Sequence, residues 1–179
     1  MFPVYLIVAL FGALIGSFLN VCIYRLPRRE SIAWPGSHCP SCAHPIVWYD
    51  NIPVVSYLIL LGRCRNCQVR IPIRYPVVEA LNALGYVGLL WFFGPDWSTA
   101  VYGLLYSALL VVAGTDLSHK IIPNVITFPG IVVGLVSAAT ILPLGLVNGV
   151  IGLFVGGGIL WFLAWVSPYL FGKEGMGGG

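Results

Sequence analysis

Charge is scarce in this sequence. Only 8% of its 179 residues are Asp, Glu, Lys or Arg, whereas 59% are hydrophobic, and the mean hydropathy is +0.93. Soluble domains carry about 25% charged residues, so too little polar surface exists here to face water, and an integral membrane protein is expected. A net charge of +3, unevenly placed, excludes a nucleic-acid-binding surface. No basic residue precedes the first apolar run, and Arg25, Arg28 and Arg29 follow it, which is the reverse of a cleavable signal peptide. The terminal "GKEGMGGG" has no strand before it, so its glycines do not form a phosphate-binding loop.

Long apolar runs are what the chain does have. Five segments, near 2–24, 75–93, 97–114, 125–142 and 144–166, reach the roughly 17 to 25 residues that a helix needs to cross a bilayer. Seven arginines lie between Arg25 and Arg74, Lys120 lies in the 115–124 turn and Lys173 follows the last span. The alternate loops, around Gly94-Pro95-Asp96 and around Pro143, contain neither Lys nor Arg. The positive-inside rule then puts the N-terminus outside and the three basic regions in the cytoplasm. Small-xxx-small pairs at Gly12/Gly16, Gly130/Gly134, Gly145/Gly149 and Gly152/Gly156 predict close helix packing.

Residues 25–74 form the one stretch long enough for a separate polar domain. They contain Cys39-x2-Cys42, then 21 residues, then Cys64-x2-Cys67, close to the pattern of a tetrathiolate zinc site. Each C-x-x-C aims two sulfurs at one metal, and two such knuckles close a tetrahedron with no position left for chemistry. The zinc would therefore hold the fold of an insert that has little core of its own. Disulfides are disfavoured by the reducing compartment that the topology assigns to these cysteines. His38 and His44 are expected to be bystanders, and Cys22, inside the first span, to be a small buried hydrophobe.

Two acids stand near membrane ends. Glu79 and Asn82 share one face of the second span, and an ionisable group at that depth is either functional or paired with Arg70 or Arg74. Asp116 sits where the third span gives way to "KIIPN"; it could cap a helix, pair with Lys120 or belong to a catalytic pair. His119 is expected to be a solvated turn residue.

Taken together and in order, "CPSC", "GRCRNCQVRIPIRYPVVEAL", "TDLSHKIIPN" and "GKEGMGGG" resemble the bacterial type IV prepilin peptidases, including the pseudopilin-processing enzymes of type II secretion. The resemblance runs from "GSFLNVCIYRLP" to the terminus. It implies an intramembrane aspartyl peptidase of the bacterial inner membrane that removes a short basic leader after a glycine. It also implies that the enzyme methylates the new amino terminus with S-adenosylmethionine. Asp116 matches the first catalytic aspartate, and the second would belong to a GxGD motif. The expected layout is an all-α polytopic bundle of about five transmembrane helices: a first helix at 1–24, a cytoplasmic zinc-binding insert at 25–74 and a membrane peptidase domain at 75–179. Prepilins or pseudopilins and the lipid bilayer are the expected partners.

The sequence departs from that pattern at its end, where Gly179 stands immediately before the position of the second aspartate. Asp96 is on the wrong side, Asp50 is in the insert and Glu174 precedes the glycines, so none replaces it, and the 179-residue chain is expected to lack peptidase activity. A small transporter-like bundle with a zinc-stapled domain, or a membrane thiol oxidoreductase, would be the rival classes. A transporter would place ionisable groups at the bilayer middle, whereas Glu79 and Asp116 fall near the ends of their spans.

Overall fold

The computed structural model describes residues 2–171, apart from the side chains of Ala164 and of residues 167–171. The terminal glycine run therefore lies outside the described residues. Among the described residues six α-helices follow one another: α1 (Phe2–Arg25), α2 (Val55–Ile59), α3 (Arg74–Phe93), α4 (Trp97–His119), α5 (Asn124–Thr140) and α6 (Leu146–Phe171). Among the described residues there is no β-strand, only two isolated bridges inside the insert. Four helices, α1, α3, α4 and α6, are long and apolar enough to cross a membrane. The remaining expected span, the fourth, is α5, whose 17 residues give a length of about 26 Å, a little short of the ~30 Å hydrocarbon core.

The chain forms two compact units, residues 1–115 and 116–179. In the first, α1 lies against α3, and two glycines set how closely. A Cβ added at Gly16 would stand 2.7 Å from the Glu79 Cα, and one at Gly12 would stand 2.9 Å from the Ala83 Cα. The close approach lets side chains reach main chain across the seam. Asn82, fully buried, donates from Nδ2 to the Gly12 carbonyl (2.7 Å) and accepts at Oδ1 from the Ser107 hydroxyl of α4 (3.0 Å). Asn20 donates to the Tyr75 carbonyl (3.0 Å). Lipid offers no hydrogen bonds, so small residues that admit contact and amides that bridge helices do the joining.

Gly16→Ala is expected to destabilise the protein by about 1–3 kcal/mol, since the atoms it meets are main chain and cannot rotate away. Gly130→Ala in α5, where an added Cβ meets nothing within 4 Å, is expected to have the opposite sign, a gain of up to about 1 kcal/mol from helix propensity. Thermal unfolding of the two variants in one detergent checks both signs.

In the second unit α5 packs on α6 through Gly149, whose added Cβ would stand 3.0 Å from the Ala138 Cβ. Among the described residues, an added Cβ at Gly130, Gly134, Gly145, Gly152 or Gly156 meets nothing within 4 Å. A stripe of glycines on a sequence is a stripe on a helix, but contact also requires a neighbour at the same height.

The turn between α3 and α4 accounts for Asp96. Gly94 takes φ +74°, and the Asp96 carboxylate accepts from the Ser98 hydroxyl (2.9 Å) at the start of α4. That hydroxyl, with the Trp97 and Ser98 amides, holds the Asp96 carboxyl below the usual carboxylate range. The residue caps a helix.

Candidate functional site

The insert is fastened to the end of α1 by Arg25, buried there, whose Nη1 and Nη2 donate to the carbonyls of Ser31 (2.9 Å) and Gly36 (3.3 Å). Beyond it the two C-x-x-C segments fold as copies of one another. In the first, Cys39 N donates to the His44 carbonyl and Ala43 N to the Cys39 carbonyl; in the second, Cys64 N donates to Val69 and Gln68 N to Cys64. Ala43 (φ 55°) and Gln68 (φ 59°) both take left-handed backbone just after the second cysteine. That reversal turns the chain back so that His38 bridges Pro45 and Arg63 bridges Arg70. A side chain in this region is strained by about 1–2 kcal/mol, and both knuckles retain it because it aims paired sulfurs at one point.

The four sulfurs converge, all within 4.8 Å of one another. Zinc–sulfur bonds of about 2.3 Å in a tetrahedron put neighbouring sulfurs about 3.8 Å apart, and Cys39 Sγ to Cys67 Sγ measures 3.8 Å. The cluster therefore fits a zinc ion. His38 and His44 are not in it, since His38 Nδ1 lies 2.9 Å from the Gly36 carbonyl and His44 contributes its main chain. No disulfide links any of the cysteines, and Cys22 is free and buried in α1.

The sulfurs are unequal. The His44 amide, then the Asn66 side chain, lowers Cys42 to about 6. The Cys67 and Asn66 amides pull Cys64 down. At Cys67 the Val69 amide also lowers, but desolvation and the three neighbouring sulfurs outweigh it and push the thiol up to about 12. A bound dication would let all four thiols ionise together. Asn66 Nδ2 also reaches Cys42 Sγ at 3.7 Å, from the opposite knuckle. Asp50 locks the preceding turn onto the second knuckle, taking Arg65 Nε and Nη2 at 2.7 Å each. This two-pronged bond holds the Asp50 carboxyl below its ordinary value.

Glu79 is buried and has neither Arg70 nor Arg74 as its partner. Its Oε2 accepts the main-chain N–H of Val54 at 2.7 Å, tying the insert to the second turn of α3. Of the two readings of Glu79, the pairing with Arg70 or Arg74 is not found; charge is visible in a sequence, whereas an N–H offered by a turn 25 residues earlier is not.

Asp116 also departs from expectation. Helix α4 runs five residues beyond the anticipated end at 114, so Asp116 lies within its last turn rather than in the loop. Thr115, with its hydroxyl 2.9 Å from the Val111 carbonyl, continues the helix, and the break comes only at Lys120, with φ 56°, before Pro123. Asp116 therefore caps no helix start. Among the described residues it makes no ion pair with Lys120, and its side chain is exposed. A carboxylate at a helix C-terminus faces the negative end of the dipole, so its position is mildly unfavourable for stability. His119 is not the solvated residue expected: it is half-buried, with Nδ1 lacking a partner among the described residues.

The sequence profile of the Bacterial Peptidase A24 N-terminal domain matches residues 10–93, and that of the Type IV leader peptidase family matches residues 103–179. A prepilin leader peptidase/N-methyltransferase of Aeromonas salmonicida is 38% identical, over 97% of this chain and 68% of its own. The chain belongs to the type IV leader peptidase family. A protein of the same name from Myxococcus xanthus is 39% identical over 100% of this chain and 53% of its own. An Escherichia coli type 4 prepilin-like proteins leader peptide-processing enzyme is 38% identical over 94% of this chain and 70% of its own. The chain thus spans about half the length of the Myxococcus member and about two thirds of the other two. No solved structure matches it significantly.

Within this family member, the first profile covers the cysteine cluster, Glu79 and the α1–α3 seam; the second covers Asp116 and both helices after it. Asn66, Asp50 and Arg65 were missed by sequence reasoning. Asp50 and Arg65 carried one available signal, opposite charges within the insert, whereas nothing in the sequence announces that Asn66 reaches a sulfur.

Proposed function

We propose that the protein to which this chain belongs removes the leader from type IV prepilins or pseudopilins and then methylates the new amino terminus. The observation that carries this reading is the position of Asp116. It is an exposed carboxylate on the last turn of an apolar helix, with no structural task among the described residues, in a member of a leader peptidase family. In an aspartyl mechanism one carboxylate takes a proton from the attacking water while a second, protonated carboxyl donates to the scissile carbonyl. Like charges held close share a single proton, so the two groups titrate together. Asp116 is one member in this reading, and the resemblance implies a second from a GxGD motif. The arginine distribution puts Asp116 at the cytoplasmic surface of the inner membrane, where the leader of a membrane-inserted prepilin lies.

The cluster of Cys39, Cys42, Cys64 and Cys67 holds a structural zinc in this account. All four positions are filled by thiolate, which leaves no site for water or substrate. The amine freed by the cut takes its methyl group from S-adenosylmethionine. The test is to express the full-length natural protein in cells that lack their own leader peptidase and to follow a coexpressed prepilin. Appearance of mature pilin supports the proposal, and persistence of the precursor in the presence of folded protein refutes it.

A further inference from the structure

The insert presents a group of large apolar side chains to its surroundings, and they are not scattered. Leu58, Ile59 and Leu61 are 65%, 69% and 84% exposed, and all belong to the ten-residue run 53–62 that includes α2. Tyr57 of the same run turns the other way, onto Gly62, where its ring would meet an added Cβ at 2.9 Å. Tyr57 thus closes on the run's own backbone, while Leu58, Ile59 and Leu61 are left exposed. Beside α2 packs the turn Trp48–Asn51, with Trp48 80% exposed.

The height of this run is fixed by a hydrogen bond. Val54 N donates to Glu79 Oε2, and Glu79 lies five residues into α3, about 7.5 Å along its axis. The chain reaches that depth through a tight γ-turn at Val54 (φ 61°, ψ −47°), closed by Val55 N on the Pro53 carbonyl at 2.6 Å. A β-branched residue is strained in this conformation, and the buried carboxylate is what holds it there. So α2 does not hang from a polar domain in water. It is drawn down beside the first turns of a helix able to span the membrane. Arg63 and Arg70 follow it, bridged to each other and both exposed.

We infer that the run Val55–Leu61 lies in the lipid headgroup–acyl boundary as an interfacial anchor of the insert. This rests on the membrane-spanning reading of α3. Leu58, Ile59 and Leu61 enter the acyl region, Trp48 sits at the interface and Arg63 and Arg70 meet anionic headgroups. Lipid is favoured over a protein partner because the Glu79–Val54 bond holds the run at the level of the first turns of α3, a helix able to span the membrane. Its apolar and cationic parts also match a headgroup boundary in order.

The test places a tryptophan in the run. Leu58→Trp is compared with the parent in nanodiscs of phosphatidylcholine and phosphatidylglycerol, with and without bromine along the acyl chains. Leu14→Trp and Leu84→Trp, exposed on α1 and α3, serve as references, and far-ultraviolet circular dichroism confirms parental folding. The expected result is that brominated lipid removes most of the emission added at position 58, while iodide in the water removes little. Loss to iodide but not to lipid, with a reference still quenched by lipid, overturns the inference and leaves the membrane reading of α3 standing. Protection from both quenchers, with a reference quenched by lipid, means that a second copy or a protein substrate covers the run, and this also overturns it. If neither reference loses emission to brominated lipid, the membrane reading itself falls, and the inference with it.

Discussion

Asp116→Asn is expected to lower leader removal by at least about a hundredfold, the smaller end of what a positioned acid–base group contributes. Asparagine keeps the shape of the side chain but cannot take or share a proton. The stability change is expected to have the other sign. Asp116 lies in the last turn of α4, where its charge opposes the helix dipole, so neutralising it should raise stability by about 0.3–1 kcal/mol or leave it unchanged. A structural carboxylate would show the reverse pattern, with cleavage retained and melting temperature lowered. The assay pairs prepilin cleavage by the natural protein with thermal unfolding of the same preparation. Together they separate a reacting group from a structural one, and retained cleavage would remove Asp116 from the mechanism.

Cys39→Ser should act through folding. Cys39 is the buried member of the cluster, its sulfur is 3.8 Å from that of Cys67, and its main chain anchors the first knuckle through His44 and Ala43. Serine is close in size but is not a thiolate ligand. Loss of an outer-shell partner already weakens metal binding by about 10- to 100-fold, and loss of a ligand should exceed that range. Because the insert holds so little core, zinc affinity and the folding of residues 25–74 are expected to fall together. The check is metal content per chain alongside protease sensitivity of the insert. A variant that keeps zinc and folding but loses activity would contradict a structural role for the cluster.

Much of the architecture could be read from the sequence because it rests on one-dimensional signals. Apolar run length located α1 and α3 to within about a residue and α4 and α6 to within about five, and C-x-x-C spacing located the sulfur cluster. Where the reading failed, the deciding partner was elsewhere in the chain. "TDLSH" looks polar enough to be a loop, yet it contains no breaker, and α4 continues through it until Lys120 turns left-handed. The Gly12/Gly16 pair meets α3, while Gly130/Gly134 and Gly152/Gly156 look identical in sequence and meet nothing among the described residues. Glu79 was recognised as unusual, but its bond to the Val54 N–H depends on a γ-turn that no residue pattern announces. The exposed side chains of α2 were overlooked for a related reason: five residues are too few to register as an amphipathic helix until their depth is known.

The central claim is that a prepilin is cut after a glycine and methylated at its new amino terminus, with Asp116 required for the cut. The most direct measurement is mass spectrometry of the N-terminal peptide of a prepilin incubated with the purified natural protein and S-adenosylmethionine. The predicted result is a leaderless peptide carrying one methyl group, absent when Asp116→Asn replaces the parent. An intact leader with folded, zinc-loaded protein, or the same leaderless product from the Asp116→Asn variant, would contradict it.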